Sequence, residues 1–168
     1  MSLAATLLPE FDHETANTRR LLEVVPAADA AWRPHPKSYS LGDLAAHIAL
    51  LPLWGRFTLD RAELDLGSPA NASIARVRFT TVPELLEQFD HNVREARATL
   101  ASTTDAAMGE TWTLKNGATT VLSMPRAVVL RGFVLSHMIH HRGQLSVYLR
   151  LRDVPLPALY GPTADTQR

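Results

Sequence analysis

Leu135-Ser136-His137-Met138-Ile139-His140-His141-Arg142-Gly143-Gln144-Leu145 is the stretch that decides how this chain is read. It lies in a long apolar run with helical spacing, and His137 and His141 stand four residues apart within it. Residues so placed are neighbours on one helix face, with Cβ atoms about 5–6 Å apart. Two imidazoles in that relation can chelate one divalent cation. A buried imidazole without a partner is costly, so the pair asks for a reason.

Working outward, Ser123 and Pro125 are read as opening this last helix, which continues to about Arg152. At 1.5 Å per residue it is roughly 40 Å long. Pro155, Pro157 and Pro162 prevent it from going further. Leu3 to Val25 reads as a first amphipathic helix, with Leu7, Phe11, Thr18, Leu22 and Val25 on one face. Asp12, Glu14, Arg19 and Arg20 are placed on the other, and Pro9 either kinks this helix or marks its true start. The proline-rich loop 26–39 follows, with Trp32, His35 and Tyr39 available to fold back on the core. Ser40-Leu41-Gly42-Asp43 resembles a capping box with Asp for the usual Glu. It starts a second helix running to about Asp60, with Leu44, His47, Leu51, Trp54 and Thr58 along one stripe. Pro52 predicts a kink or a break there.

Gly67 to Ala72 is a turn-rich linker. Thr81-Val82-Pro83-Glu84 then starts a third helix whose stripe is Leu85, Phe89, Val93, Ala96 and Leu100. Between the third and last helices, β-prone Trp112-Thr113-Leu114 and Thr119 to Leu122 flank Asn116-Gly117, a hairpin signal. The expectation is a single domain over 1–168, an all-α four-helix bundle with one short β-hairpin near 112–122.

Composition narrows the function classes. Hydrophobic residues make up 46% and charged residues 20%, ordinary for a globular domain, and 17 basic side chains cancel 17 acidic ones. With no basic block, nucleic acid is not an expected partner. No run approaches the roughly 18 apolar residues of a membrane span, and the N-terminus does not resemble a signal peptide. The expected location is the cytoplasm. Cysteine is absent, so a metal ion must be held by His, Asp or Glu.

Catalytic zinc-type sites commonly use three protein ligands and keep a position open. The His137/His141 pair supplies two, and His47, on the stripe of another helix, is the best-placed third. The donor set does not choose among zinc, nickel, iron and manganese. Met138 follows His137, so the general-base Glu of a His-Glu-x-x-His protease is missing. The competing reading makes the histidines ordinary core residues of a structural dimer.

Ser40-Leu41-Gly42-Asp43-Leu44-Ala45-Ala46-His47 resembles the second-helix motif of the DinB/YfiT-like family, whose members are regarded as metalloenzymes. His137-Met138-Ile139-His140-His141-Arg142-Gly143-Gln144-Leu145 resembles that family's last-helix motif, His-x-x-x-His followed by Arg-Gly-Gln. Pro157-Ala158-Leu159-Tyr160-Gly161-Pro162 is similar to a tail that many members share. The resemblance implies an up-down-down-up four-helix bundle, a divalent-metal site on His47, His137 and His141, and a homodimer. It also brings in low-molecular-weight thiol chemistry, because members and relatives include thiol-dependent transferases and a maleylpyruvate isomerase. The expected function is therefore that of a metal-dependent hydrolase or small-thiol-dependent transferase acting on a small molecule. The alternative is a non-catalytic bundle that binds a metal or small ligand.

Around the three ligands, Gln144 is three residues from His141 and Asp43 one turn before His47. Both are candidates to support a ligand from behind. His140, about 100° around the helix from the pair, is expected to face a neighbouring helix or a partner subunit. His13, His35 and His91 lack ligand spacing. Gly143, inside a helix, is expected to admit close approach of another helix. Trp54 and Phe133 are read as core.

Overall fold

Ser2, Ser40 and Thr81 start their helices in the same way. Each side-chain oxygen accepts from the backbone N–H three residues on, at 3.1, 3.1 and 3.3 Å, satisfying a donor that the first turn leaves without a partner. The computed structural model describes residues 2–72, 74 and 78–166. Its helices are α1 (Leu3–Leu22), α2 (Leu41–Asp60), α3 (Val82–Ser102), a short α4 (Asp105–Gly109), and α5. The last is one continuous helix in three parts: Arg126–Val128, a π-helical segment Val129–Ser136, and His137–Leu151.

α1 and α2 each pack against both α3 and α5. Contacts fix the directions. Asp12 meets Arg97 and Arg19 meets Asp90, so α1 and α3 are antiparallel. Asn92 donates to the Ala49 carbonyl and Arg56 approaches Glu95, so α2 and α3 are parallel. Arg126 reaches the Thr58 carbonyl while His47 meets His137, so α2 and α5 run oppositely. Glu10 pairs with Arg131 and Glu14 with Arg142, so α1 and α5 run together. The bundle is up-down-down-up. The connections 23–40 and 103–125 each join helices that are not packed neighbours, and 61–81 carries the chain back along the bundle so that α2 and α3 run parallel.

The bundle interior is filled by Phe11, Leu22, Leu44, Ile48, Leu85, Phe89, Leu135 and Leu145 with their neighbours. A second apolar cluster, centred on Leu50, Phe57, Leu64, Trp112, Leu114 and Val129, joins α2 and α5 to a small sheet. That sheet is β1 (Glu63–Asp65), β2 (Thr111–Asn116) and β3 (Thr119–Pro125) in the order β1-β2-β3. β1 is parallel to β2 and β3 antiparallel to it. Arg126, buried where β3 becomes α5, donates to the Thr58 and Leu59 carbonyls and to Glu110. A guanidinium there satisfies carbonyls that the end of α2 leaves open.

Several sequence expectations are corrected. Ser123 and Pro125 belong to β3, and α5 begins at Arg126. The tight turn is Gly117-Ala118, one residue later than the Asn116-Gly117 pair predicts, with Gly117 at φ 59°. Asn116 pairs with Thr119 as the last residue of its strand. β1 was not expected: three residues with one inward side chain, Leu64, carry too little pattern to be seen. α1 ends at Leu22 rather than Val25, although Val25 stays buried. Glu14, read as an outer charged residue, is buried against Arg142. α2 runs unbroken through Pro52, and Asn92 of α3 offers the Ala49 carbonyl a donor in the turn that a proline loosens. Gly143 meets no neighbouring atom of the described residues where a Cβ would stand, so none of the described helices closely approaches it there.

The tight approach is at Gly42. A Cβ there would stand 2.9 Å from Phe79 Cβ and 3.0 Å from Ala30 Cβ. Gly42→Ala is therefore expected to destabilise the fold by about 1–3 kcal/mol through overpacking. Its urea midpoint, with an unchanged m-value, checks this.

Candidate metal centre

The Ser40 cap fixes the start of α2 and puts His47 in its second turn, half-buried and facing α5. On α5 the π-helical segment ends at Ser136, and His137 begins the regular turn that carries His141. Short π segments recur at functional sites because they shift the register of the side chains that follow. The three rings converge. His137 Nε2 lies 2.8 Å from His141 Nε2 and 3.4 Å from His47 Nε2. One nitrogen from each ring falls within 4.8 Å of the others. Ligand bonds of about 2.0–2.1 Å hold neighbouring donors roughly 2.9–3.4 Å apart in a facial site, so the His137–His141 and His137–His47 pairs stand close to the spacing that one small cation needs.

Electrostatics favours the same use. Burial pushes His47 down to about 4 from its ordinary 6.5, helped by His141 and His137. His137 is lowered by burial and then by His141, against the Phe133 carbonyl, which raises it. Burial also lowers His141, while the Gln144 hydrogen bond opposes this. In each of the three, burial favours the neutral imidazole, the form a metal needs. Gln144 Oε1 lies 2.7 Å from His141 Nδ1, and Gln144 Nε2 lies 3.0 Å from His140 Nε2. With Oε1 accepting from Nδ1–H, Nε2 of His141 keeps its lone pair and points it at the cluster. His137 Nδ1 is buried and, among the described residues, has no well-formed hydrogen bond, although the Phe133 carbonyl is near.

The neutral cluster has a consequence for the metal-free protein. Unfolding releases His47 to its ordinary pKa, so between about 4 and 6.5 the unfolded chain binds the extra proton. Stability is then fully present above pH 6.5 and falls as pH drops towards 4. For His47 alone the loss is about 2 kcal/mol after allowance for partial exposure. Urea titrations of chelator-treated protein at pH 7 and pH 4.5 should show that fall, and His47→Leu should lessen it, leaving the share that belongs to His137 and His141.

Aromatic rings close around the cluster. Tyr39, in the loop before α2, stacks on His47 at 5.6 Å and 15° and stands edge-on to His141. Phe133 sits 5.5 Å from His137 and meets Trp54 at 5.6 Å. Beside His47 opens a cavity of about 220 Å³, with Leu50, Trp54, Leu66 and Ile74 on its apolar side and Asp43 and Arg78 at its polar side. Asp43 faces Arg78 at 3.9 Å.

Other sequence candidates lie apart from the cluster. His140 is exposed on α5 rather than against a helix, and His35 and His91 are exposed. His13, also exposed, meets Asn17 and the ring of Tyr160. Trp54 and Phe133, read as core, are half-buried at the site itself. The π segment and the cavity wall formed by Leu66 and Ile74 were not visible in the sequence. Apolar residues in turns carry no periodicity, and nothing in Val129–Ser136 distinguishes π from α spacing.

A four-helix bundle carrying three convergent histidines on two antiparallel helices, with a small sheet at one end, defines the class. The sequence profile of the DinB superfamily matches residues 10–145, and the chain belongs to that superfamily. The fold is similar to crystal structures of three DinB-like proteins. That from Bacillus subtilis is 19% identical, with 94% of this chain and 99% of the other covered at a TM-score of 0.67. One from Bacillus cereus is 20% identical, covering 92% and 95% at 0.68. A member from Exiguobacterium sibiricum is 20% identical, covering 99% of both at 0.67. No curated protein matches the chain. Among the described residues, no helix is long and apolar enough to cross a membrane.

Proposed function

We propose that the protein is a metal-dependent enzyme acting on a small molecule, with His47, His137 and His141 as ligands of one divalent ion. The observation that carries this reading is the convergence of three imidazole nitrogens, at 2.8 and 3.4 Å along the chain of contacts, beside a cavity. An all-nitrogen set of this kind accepts zinc, nickel, iron or manganese. When bound, such an ion supplies Lewis acidity, which serves either hydrolysis or transfer of a small thiol.

The residues around it have definable tasks. Gln144 holds the tautomer of His141. Tyr39 covers His47 and keeps water from one side, and Phe133 does the same for His137. Asp43 is the carboxylate of the cavity wall that can take up a proton from a bound nucleophile, and it faces Arg78 across 3.9 Å. A low-molecular-weight thiol as co-substrate places the reaction in a reducing cytoplasm. The homodimer belongs to the same proposal. Val121, Met124 and Val128 on β3 and the start of α5 are exposed and apolar, the kind of surface a second subunit covers.

A panel of esters, amides and electrophiles paired with small thiols tests the reading, run with zinc-, nickel- and manganese-loaded protein. Turnover abolished by His137→Ala supports it. If every substrate is inert in all three loaded forms, the second reading holds. In that reading the bundle binds a metal or small ligand without catalysis, and it is favoured by the engagement of Asp43 with Arg78.

A further inference from the structure

The cavity beside His47 has two chemically different sides, and its apolar side packs on the second apolar cluster. Leu50 and Ile74 are 6% and 9% exposed and belong to the cluster built on Trp112 and Leu64, the core beneath the sheet. Trp54 is braced edge-on by Phe133. Leu66 is held at the end of β1, where its N–H donates to the Lys115 carbonyl at 2.9 Å. The size of the cavity is informative: an apolar cavity of about 150 Å³ holds benzene, and this one measures about 220 Å³. A six-membered ring therefore fits with room for a short linker reaching His47, the one histidine of the cluster that lines the cavity. Trp54 offers an aromatic surface for edge or offset stacking.

We propose that the substrate of this site carries an aromatic group of about benzene size, seated among Leu50, Trp54, Leu66 and Ile74, with its reacting polar atoms at the His47 end. This rests on the metal-site reading for the reacting end and on the cavity alone for the ring. The apolar wall selects the ring, and the histidine end selects a group that can approach a cation. Substrates with a short alkyl group in place of the ring leave much of the cavity unfilled and bind more weakly.

Two arms of one experiment separate the claims. In the first, metal-free protein is mixed with benzyl alcohol and with ethanol, and saturation-transfer NMR reads contact. Ring protons of benzyl alcohol should be saturated, and Leu66→Trp, which fills the cavity from its rim, should remove the signal. In the second, calorimetry measures zinc binding, then acetohydroxamate and benzohydroxamate binding to the zinc-loaded protein. Benzohydroxamate should bind at least tenfold tighter. Leu66→Trp should erase that margin while leaving zinc and acetohydroxamate affinity within about twofold. Leu66→Ala, a second variant with the opposite effect on volume, should shift preference towards a naphthyl hydroxamate. Equal affinity of the two hydroxamates for wild type, or a margin that survives in folded Leu66→Trp, overturns the proposal. Failure of zinc to bind while the benzyl signal remains sensitive to Leu66→Trp overturns the metal reading and leaves the aromatic site standing. Absence of the benzyl signal in wild type overturns the aromatic site.

Discussion

His137→Ala is expected to lower affinity for zinc by roughly a thousandfold or more. Loss of a supporting hydrogen bond behind a metal ligand already costs 10–100-fold, and His137 is the central donor, touching both His141 and His47. The effect is readable as stability. An ion that binds only the folded protein adds about 4 kcal/mol at a thousand times its Kd. Wild type should therefore melt well above its metal-free form when zinc is added, whereas His137→Ala should melt alike with and without zinc. The substitution also removes a half-buried imidazole whose buried Nδ1 lacks a well-formed partner among the described residues. The metal-free variant should thus be about as stable as metal-free wild type, which separates loss of a ligand from loss of the fold.

Arg142→Leu is expected to have the largest effect on the fold itself, about 3–5 kcal/mol, because it strands a buried carboxylate. Arg142 is 2% exposed beside the binding pair. It donates to Glu14 Oε2 at 2.5 Å, to the Glu14 carbonyl at 2.9 Å and to Thr18 Oγ1 at 3.2 Å. It also donates to the Tyr160 hydroxyl, which in turn donates to Glu14 Oε2 at 2.7 Å. One guanidinium thereby joins α5, α1 and the C-terminal tail. Burial of the hydroxyl, then its bond to Glu14, holds the Tyr160 phenol above its ordinary pKa. Removing both charges together, as Glu14→Leu with Arg142→Leu, leaves no stranded ion. The double variant should unfold at a higher urea concentration than Arg142→Leu alone, and a strongly non-additive cycle is the measurable signature. Additive losses would show that the pair is not coupled.

Most of what was legible in the sequence was periodic or capped. Ser40 and Thr81 announce their helices because a cap is a local device: the oxygen and the N–H it satisfies are three residues apart. The His137/His141 pair was legible for the same reason, since both ends of the relation lie on one helix. His47 is different. Its place beside His137, 90 positions away, depends on α2 and α5 running antiparallel, and stripe position alone only nominated it. The up-down-down-up order came from the family resemblance rather than from periodicity. The structure accounts for it through the Asp12–Arg97, Asn92–Ala49 and Glu14–Arg142 contacts. Glu14 was misplaced because a charge reads as solvent-facing until its partner, here Arg142, is known. Gly143 was misread through a general rule about glycine in helices that local geometry does not obey here. β1 and the Leu66–Ile74 wall lie in turns and three-residue strands, where side-chain direction is set by tertiary contact rather than by period.

The central claim is that His47, His137 and His141 hold one ion among them. Crystals of protein purified without an affinity metal and then soaked in zinc, measured on both sides of the zinc absorption edge, test it most directly. The account predicts a single anomalous peak about 2.0–2.1 Å from one nitrogen of each of the three rings. An anomalous map with no peak between α2 and α5, from crystals in which zinc is seen elsewhere, would contradict it.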